Sequence, residues 1–170
     1  MKMSRRWASQ TTDHQPSIIM PPQQFLVRLQ DGINGGFLNA APNAIHQLTR
    51  SSDTPGNLFI ESMVRPEGDQ DLKSHPPKDL PIGDSSHESN ALVEELHSIL
   101  KTIPTEKPPG SEDIYGLNIS IMWMSDDLEW VNTAPQDCMW GESEVKPTEE
   151  QKARFKRAVD IVNELAKLEK

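Results

Sequence analysis

The residues that most often bind metals or act as nucleophiles are few in this chain. It holds five histidines and one cysteine, at positions His14, His46, His75, His87, His97 and Cys138. Structural zinc sites use ligands that pair two to four residues apart, and no two of these residues are that close. The sequence therefore predicts no metal and no cofactor. It predicts structural or solvated roles for the histidines, with His97 on the polar side of a helix.

Two groupings have the residue types of a catalytic site but lack its surroundings. A cysteine becomes a strong nucleophile when a histidine or a helix N-terminus stabilises its thiolate. Cys138 instead follows Asp137, whose charge disfavours a thiolate. His87 lies beside Glu88 in a predicted linker, where nothing would hold a base in position. We therefore predict no catalytic residue.

Acidic residues gather on both sides of residues 114–125, where they could form a carboxylate pair or bind a hard cation. They are Glu112, Asp113, Asp126, Asp127 and Glu129. Because they lack the regular spacing and internal glycine of a calcium-binding loop, we expect surface charges at turns. Residues 31–36 (DGINGG) have neither the dinucleotide nor the Walker spacing, and they predict a turn.

The segment 114–132, IYGLNISIMWMSDDLEWVN, concentrates large apolar side chains. Its alternation predicts a strand with one face in the core, and that face holds Leu117, Ile119, Ile121 and Trp123. The opposite face and the loop beyond it form a candidate partner-binding surface made of Met122, Met124, Trp130, Met139 and Trp140. Either Trp130 or Val131 must face away from the core. Methionine and tryptophan on a solvated sheet face are typical of adaptable binding surfaces. The alternative is that residues 20–64 cover this face.

Three elements that would position this surface are clearly marked. Residues 89–101 carry an apolar stripe at helical spacing, and Pro104 ends it. Residues 125–127 form a polar turn, so residues 128–132 can return as the second strand of a hairpin. Thr148 and Gln151 have the spacing of a capping box, which predicts a helix from Glu149 to about Leu168.

The N-terminal half has weaker signals. Residues 1–20 predict a disordered tail. Two short helices are predicted over residues 22–31 and 43–49, and the alternation in residues 57–65 predicts a strand. Residues 66–88 are dense in proline, serine and aspartate, which predicts a flexible linker that buries too little apolar surface to order itself.

Together these elements predict an α+β fold, with a small antiparallel sheet and two helices packed on one face. Residues 89–170 would form the helix-hairpin-helix core. Residues 21–65 would pack on this main domain, and residues 66–88 would connect the two parts.

Charge and composition exclude several functional classes. Residues 1–60 hold five basic and three acidic residues, whereas the remaining 110 hold twelve basic and 23 acidic ones. Such an acidic part disfavours binding to nucleic acid and to anionic membranes. A single cysteine excludes an internal disulfide, and no apolar run has the length of a membrane span. We expect a cytoplasmic protein, or a mitochondrial matrix protein if the N-terminus is a presequence.

Two hypotheses of function follow. The first is a small acidic intracellular interaction or regulatory protein that binds a protein partner through the methionine and tryptophan surface. The second is a small enzyme, or a subunit of one, with a cleft between the sheet and the N-terminal region. An exposed apolar sheet face would favour the first hypothesis, and a cleft of converging histidines and acids would favour the second. The oligomeric state stays open.

Overall fold

Alternating apolar residues pair the seven described strands into one antiparallel sheet. The protein is described by a computed structural model over residues 22–33, 42–84, 87–133 and 141–169. Its elements are β1 (Phe25–Asp31), β2 (Ala44–Arg50), β3 (Asn57–Val64), β4 (Lys73–Ser74), β5 (Lys78–Pro81), α1 (Glu88–Leu100), β6 (Ile119–Ser125), β7 (Glu129–Val131) and α2 (Glu149–Lys167). This architecture confirms the predicted α+β class.

Strand β1 lies inside the sheet, between β2 and β6. The strand order is β4-β3-β2-β1-β6-β7, with β5 also paired to β3. Val27 of β1 is opposite both Leu48 of β2 and Trp123 of β6. Because side chains alternate between the two faces of a sheet, this register fixes which residues face the helices.

The hydrophobic core lies between that face of the sheet and the two helices. Trp123 and Phe155 are fully buried. Trp123 stacks on Phe25 with ring centroids 4.8 Å apart, and Phe155 stacks on Tyr115 at 4.1 Å. Each buried side chain of this size contributes about 1.5 to 3 kcal/mol, so the aromatic stacks are a large part of the stabilisation.

Both predicted helices and the predicted hairpin are confirmed. Helix α2 begins with the capping box: Gln151 N donates to Thr148 Oγ1 at 3.2 Å, and Thr148 N donates to Gln151 Oε1 at 2.9 Å. Strands β6 and β7 form the hairpin, which Ser125 N closes by donating to Leu128 O at 2.9 Å. Among the described residues, no helix is both long and apolar enough to cross a membrane.

The two short helices predicted over residues 22–31 and 43–49 are wrong, because β1 and β2 occupy these positions. Phe25, Val27 and Leu29 are buried at every second position of β1. Leu26 adds an apolar residue on the other face, and such a short mixed run also fits a helix. Backbone pairing of β1 with β2 and β6 favours the strand over the helix. The strand predicted over residues 57–65 is confirmed as β3.

The segment predicted to be a flexible linker contributes to the fold. Residues 66–88 include β4 and β5, which both pair with β3. Leu80 and Ile82 are only 2% and 3% exposed, because their two-residue spacing brings both to the core. Two of its apolar residues therefore belong to the core, although the segment was expected to bury too little apolar surface to order itself. The predicted tail, residues 1–20, lies outside the described residues.

Candidate functional site

The face of the sheet that points away from α1 and α2, here called the outer face, carries many apolar side chains. Its residues include Leu26, Arg28, Ile45, Gln47, Phe59, Glu61, Met63, Met122, Met124 and Val131. Phe59 and Met124 are each 38% exposed. The solvated side of an antiparallel sheet is usually polar, so this composition is typical of a contact surface.

Two of the five predicted partner-binding residues lie on the outer face. Met122 and Met124 point away from the helices, as predicted. The expected outward position of Trp130 is wrong: Trp130 is opposite Trp123 on the core face and is 5% exposed. Its Nε1 donates to Ile103 O at 3.0 Å, which satisfies the indole inside the core. Met139 and Trp140 lie outside the described residues.

Leu117 also departs from its predicted place on the core face, because it is 37% exposed. It precedes β6, and Asn118 between them has φ of 58°. This left-handed residue interrupts the alternation before the strand begins. Only Ile119, Ile121 and Trp123 of the predicted set contribute to the core.

The alternative was that residues 20–64 cover the outer face. The described part of this segment does not cover it. Strands β1, β2 and β3 lie in the plane of the sheet, next to β6. They therefore widen the outer face instead of lying across it. The result is a face to which five adjacent strands contribute.

Arg28 lies at the centre of the outer face. Its cross-strand neighbours are Gln47 and Met122, and Gln47 Nε2 donates to Glu61 Oε2 at 3.3 Å. The Arg28 guanidinium has no ion pair or hydrogen bond within the described part of the chain. It therefore offers a rigid fork of N–H donors to an incoming acceptor. Its local sequence gives no sign of this, because the role depends on strand pairing.

A cleft of about 520 Å³ lies between the end of α2 and the core-face side of β2 and β3. The imidazole and ammonium groups of His46, His75, Lys78 and Lys167 line it, together with the apolar side chains of Ile60 and Val64. These residues come from four separate parts of the chain. No local pattern in the sequence indicates that they would meet.

His46 is the most buried polar residue of the cleft, at 8% exposed. Its Nδ1 lies 2.9 Å from Ser62 Oγ. Burial lowers the pKa of His46, and the nearby charges of His75 and Lys167 lower it further, so the ring is neutral at pH 7. A serine beside a neutral imidazole would supply two of the three groups of a nucleophilic triad. However, no described side chain bonds to the second ring nitrogen, so a complete triad is not present among these residues.

Lys78 connects the cleft to α2. Its Nζ donates to Ala166 O at 2.6 Å and also to Leu168 O. These carbonyls lie at the end of the helix, which carries partial negative charge. Burial lowers the pKa of Lys78, and Glu169 opposes this shift. The lysine thus stabilises the end of α2 where it borders the cleft.

His97 is buried, which corrects its predicted position on the polar side of the helix. It is 2% exposed, stacks on Trp123 with ring centroids 5.0 Å apart, and contacts Asp127 through Nε2 at 3.2 Å. Its Nδ1 is buried without a partner in the described structure. A protonated ring would bury an unpaired N–H, so His97 is neutral. Ser125 Oγ donates to Asp127 and not to His97. We therefore assign a structural role to His97, Asp127 and Ser125.

Three of the predicted acids, Glu112, Asp113 and Asp127, accept hydrogen bonds near turns. Burial opposes the ionisation of Asp127, but hydrogen bonds from Lys101 and Ser125 lower its pKa to about 2. Glu112 accepts from Lys146 Nζ at 3.0 Å, and Asp113 accepts from backbone amides. Within the described residues, no three His, Cys, Asp or Glu side chains are placed to hold a metal ion. His14 and Cys138 lie outside those residues.

The two buried histidines make stability depend on pH. Burial holds the pKa values of His46 and His97 below 6.5, so the unfolded chain binds more protons than the folded chain at mildly acidic pH. The free energy of unfolding should be highest above about pH 7 and should decline as the pH falls through 6.5. Urea titrations at pH 7.5 and 5.5 measure this decline. His97→Gln should reduce it, and equal stability at both pH values would contradict the prediction.

The outer face and the cleft are thus two candidate binding sites among the described residues. Comparisons of the chain with protein-family models, with curated proteins and with solved structures found no match.

Proposed function

We propose that this protein is an interaction or regulatory protein whose outer face binds an apolar segment of a protein partner, and that this segment carries an aspartate or glutamate. One observation carries the proposal: Arg28, at the centre of an apolar sheet face, has no ion pair or hydrogen bond among the described residues. The partner would complete a third layer, because α1 and α2 already cover the other face of the sheet.

The apolar residues of the outer face support a protein partner. Phe59 and Met124 are the most exposed of them, and they lie on β3 and β6, on opposite sides of the two central strands. Methionine adapts its shape to a partner at low cost. A contact that covers both residues must also cover β1 and β2, and therefore Arg28.

Arg28 defines the chemistry of that partner. Covering a guanidinium without giving it an acceptor is costly, so the partner must present one above β1. A carboxylate is the best match, because it accepts two parallel N–H bonds from the fork. Since Glu61 and Glu129 lie toward the two edges of the face, a basic partner residue would be attracted to the rim, whereas the centre selects an acid.

Charge reversal on the outer face should abolish partner binding without unfolding the protein. We expect Arg28→Glu and Met124→Glu each to weaken binding at least tenfold, since an unpaired buried charge costs about 2 to 5 kcal/mol. Lys156→Glu is the matched control, because Lys156 is exposed on α2. A photoreactive residue at position 59 would identify the partner in cells, and binding of each variant to the purified partner would then be measured.

The charge swap makes the test specific. An aspartate or glutamate of the partner, changed to arginine, should restore binding to Arg28→Glu and weaken binding to the unchanged protein. Equal binding of Arg28→Glu and Lys156→Glu would overturn the proposal. Crosslinks that form from position 156 and not from position 59 would do so as well.

The proposed setting is intracellular. The single cysteine does not permit an internal disulfide, which fits a reducing compartment. We propose the cytoplasm, with the mitochondrial matrix as the alternative. The acidic balance of the chain supports a protein partner over nucleic acid or an anionic membrane.

A further inference from the structure

We infer that the cleft beside the end of α2 binds a small organic carboxylate, an anion with one charge and a short apolar body. The cleft lies on the core-face side of the sheet, away from the outer face, so this inference does not depend on the proposed partner. The chain has a net charge of −9, yet His75, Lys78 and Lys167 converge here, against one acidic residue of the lining, Glu169. Basic groups gathered in an acidic protein create a local field that concentrates an anion.

The ammonium group of Lys167 and the imidazole of His75 are open to a ligand. Neither side chain has a hydrogen bond or an ion pair within the described residues. Lys78, by contrast, is held by the carbonyls of Ala166 and Leu168. It offsets the negative end of α2, which would otherwise repel an anion.

His46 and Ser62 add a neutral donor to the cleft. When Ser62 Oγ donates to Nδ1 of the neutral ring, the proton of the imidazole lies on Nε2. This atom has no partner in the described part of the structure. A carboxylate has two acceptor oxygens, so it can take a hydrogen bond from His46 and an ion pair from Lys167 at the same time.

The residues that line the cleft indicate a ligand with an apolar body and disfavour phosphate as the ligand. Ile60 and Val64 provide aliphatic surface, and the volume of about 520 Å³ is in the range that holds small ligands. Phosphate is most often bound by the arginine fork or by the N-terminus of a helix. The described lining contains neither, and the helix end beside it is the negative one. A monocarboxylate therefore fits the charge and the walls better than a dianion.

The test uses hexanoate as the probe, with hexanamide as its neutral analogue and inorganic phosphate as the dianion. We expect hexanoate to shift the NMR signals of the His46 and His75 side chains in a saturable way. Hexanamide and phosphate should bind at least tenfold more weakly. Lys167→Glu should weaken hexanoate binding about tenfold, the equivalent of about 1.4 kcal/mol, whereas Lys156→Glu on the same helix should leave it unchanged. Thermal melts confirm that both variants fold.

Three outcomes would overturn this inference. The first is equal binding of hexanamide, which would mean that the cleft recognises only apolar surface. The second is stronger binding of phosphate than of hexanoate. The third is an equal loss of binding in Lys156→Glu and Lys167→Glu, which would indicate nonspecific attraction to surface lysines. None of these outcomes affects the outer face, whose partner is tested separately.

Discussion

Replacing Trp123 with alanine should unfold the protein or leave it only marginally stable. The side chain is fully buried and stacks on Phe25 at 4.8 Å and on His97 at 5.0 Å, so its removal leaves a cavity that the neighbouring rings cannot fill. Such a truncation costs about 3 to 5 kcal/mol. Domains are typically stable by roughly 5 to 15 kcal/mol, so the loss is a large fraction of the total.

The adjacent residue provides a matched control. Met124 lies one position further along β6, on the outer face, and is 38% exposed. Met124→Ala should change the free energy of unfolding by less than about 1 kcal/mol. Urea unfolding of both variants gives the comparison. Similar losses for the two would mean that the outer face is as buried as the core, and would remove the basis of the proposed binding surface.

Replacing Glu106 with alanine is the second change expected to be severe. Glu106 is 2% exposed, and its Oε1 accepts from Gly110 N and from Thr133 N, each at 2.8 Å. This single oxygen ties the turn at Gly110 to the residues that follow β7. Alanine would leave two buried N–H groups unpaired, at about 1 to 3 kcal/mol each.

Glu106→Gln separates the hydrogen bonds from the charge. The amide oxygen of glutamine can accept from both N–H groups, so this variant should lose much less stability than Glu106→Ala. Thermal melts of both variants measure the difference. If alanine is tolerated as well as glutamine, then the two backbone N–H groups are satisfied in another way and the proposed role of Glu106 is wrong.

The sequence predicted the parts of the fold that long periodic patterns define. Helix α2 has both a capping box and a long apolar stripe, so its bounds could be read directly. Strand β1 could not, because its seven residues have apolar side chains on both faces, and its identity depends on pairing with β2 and β6. Leu80 and Ile82 were missed for a similar reason, since the polar composition around them hid a two-residue alternation.

The outer face and the cleft were less predictable than the fold. The alternation of β6 alone placed Met122 and Met124 on the outer face, where the structure has them. The error at Trp130 arose because the register of the hairpin decides which face each residue of β7 takes, and a one-residue shift exchanges the faces. Arg28 and the cleft depend on contacts between distant parts of the chain, such as His46 and Lys167, which no local pattern records.

The position of β1 inside the sheet also affects how the chain folds during its synthesis. Strands β1, β2 and β3 can pair as soon as they leave the ribosome, but Phe25 pairs with Ser125, which is made much later. Since synthesis proceeds at about 5 to 20 residues per second, the second edge of β1 stays unpaired for roughly 5 to 20 s until β6 is made. An unpaired strand edge can recruit other chains during that interval. The nascent protein is therefore most prone to aggregation after its first three strands form and before β6 arrives.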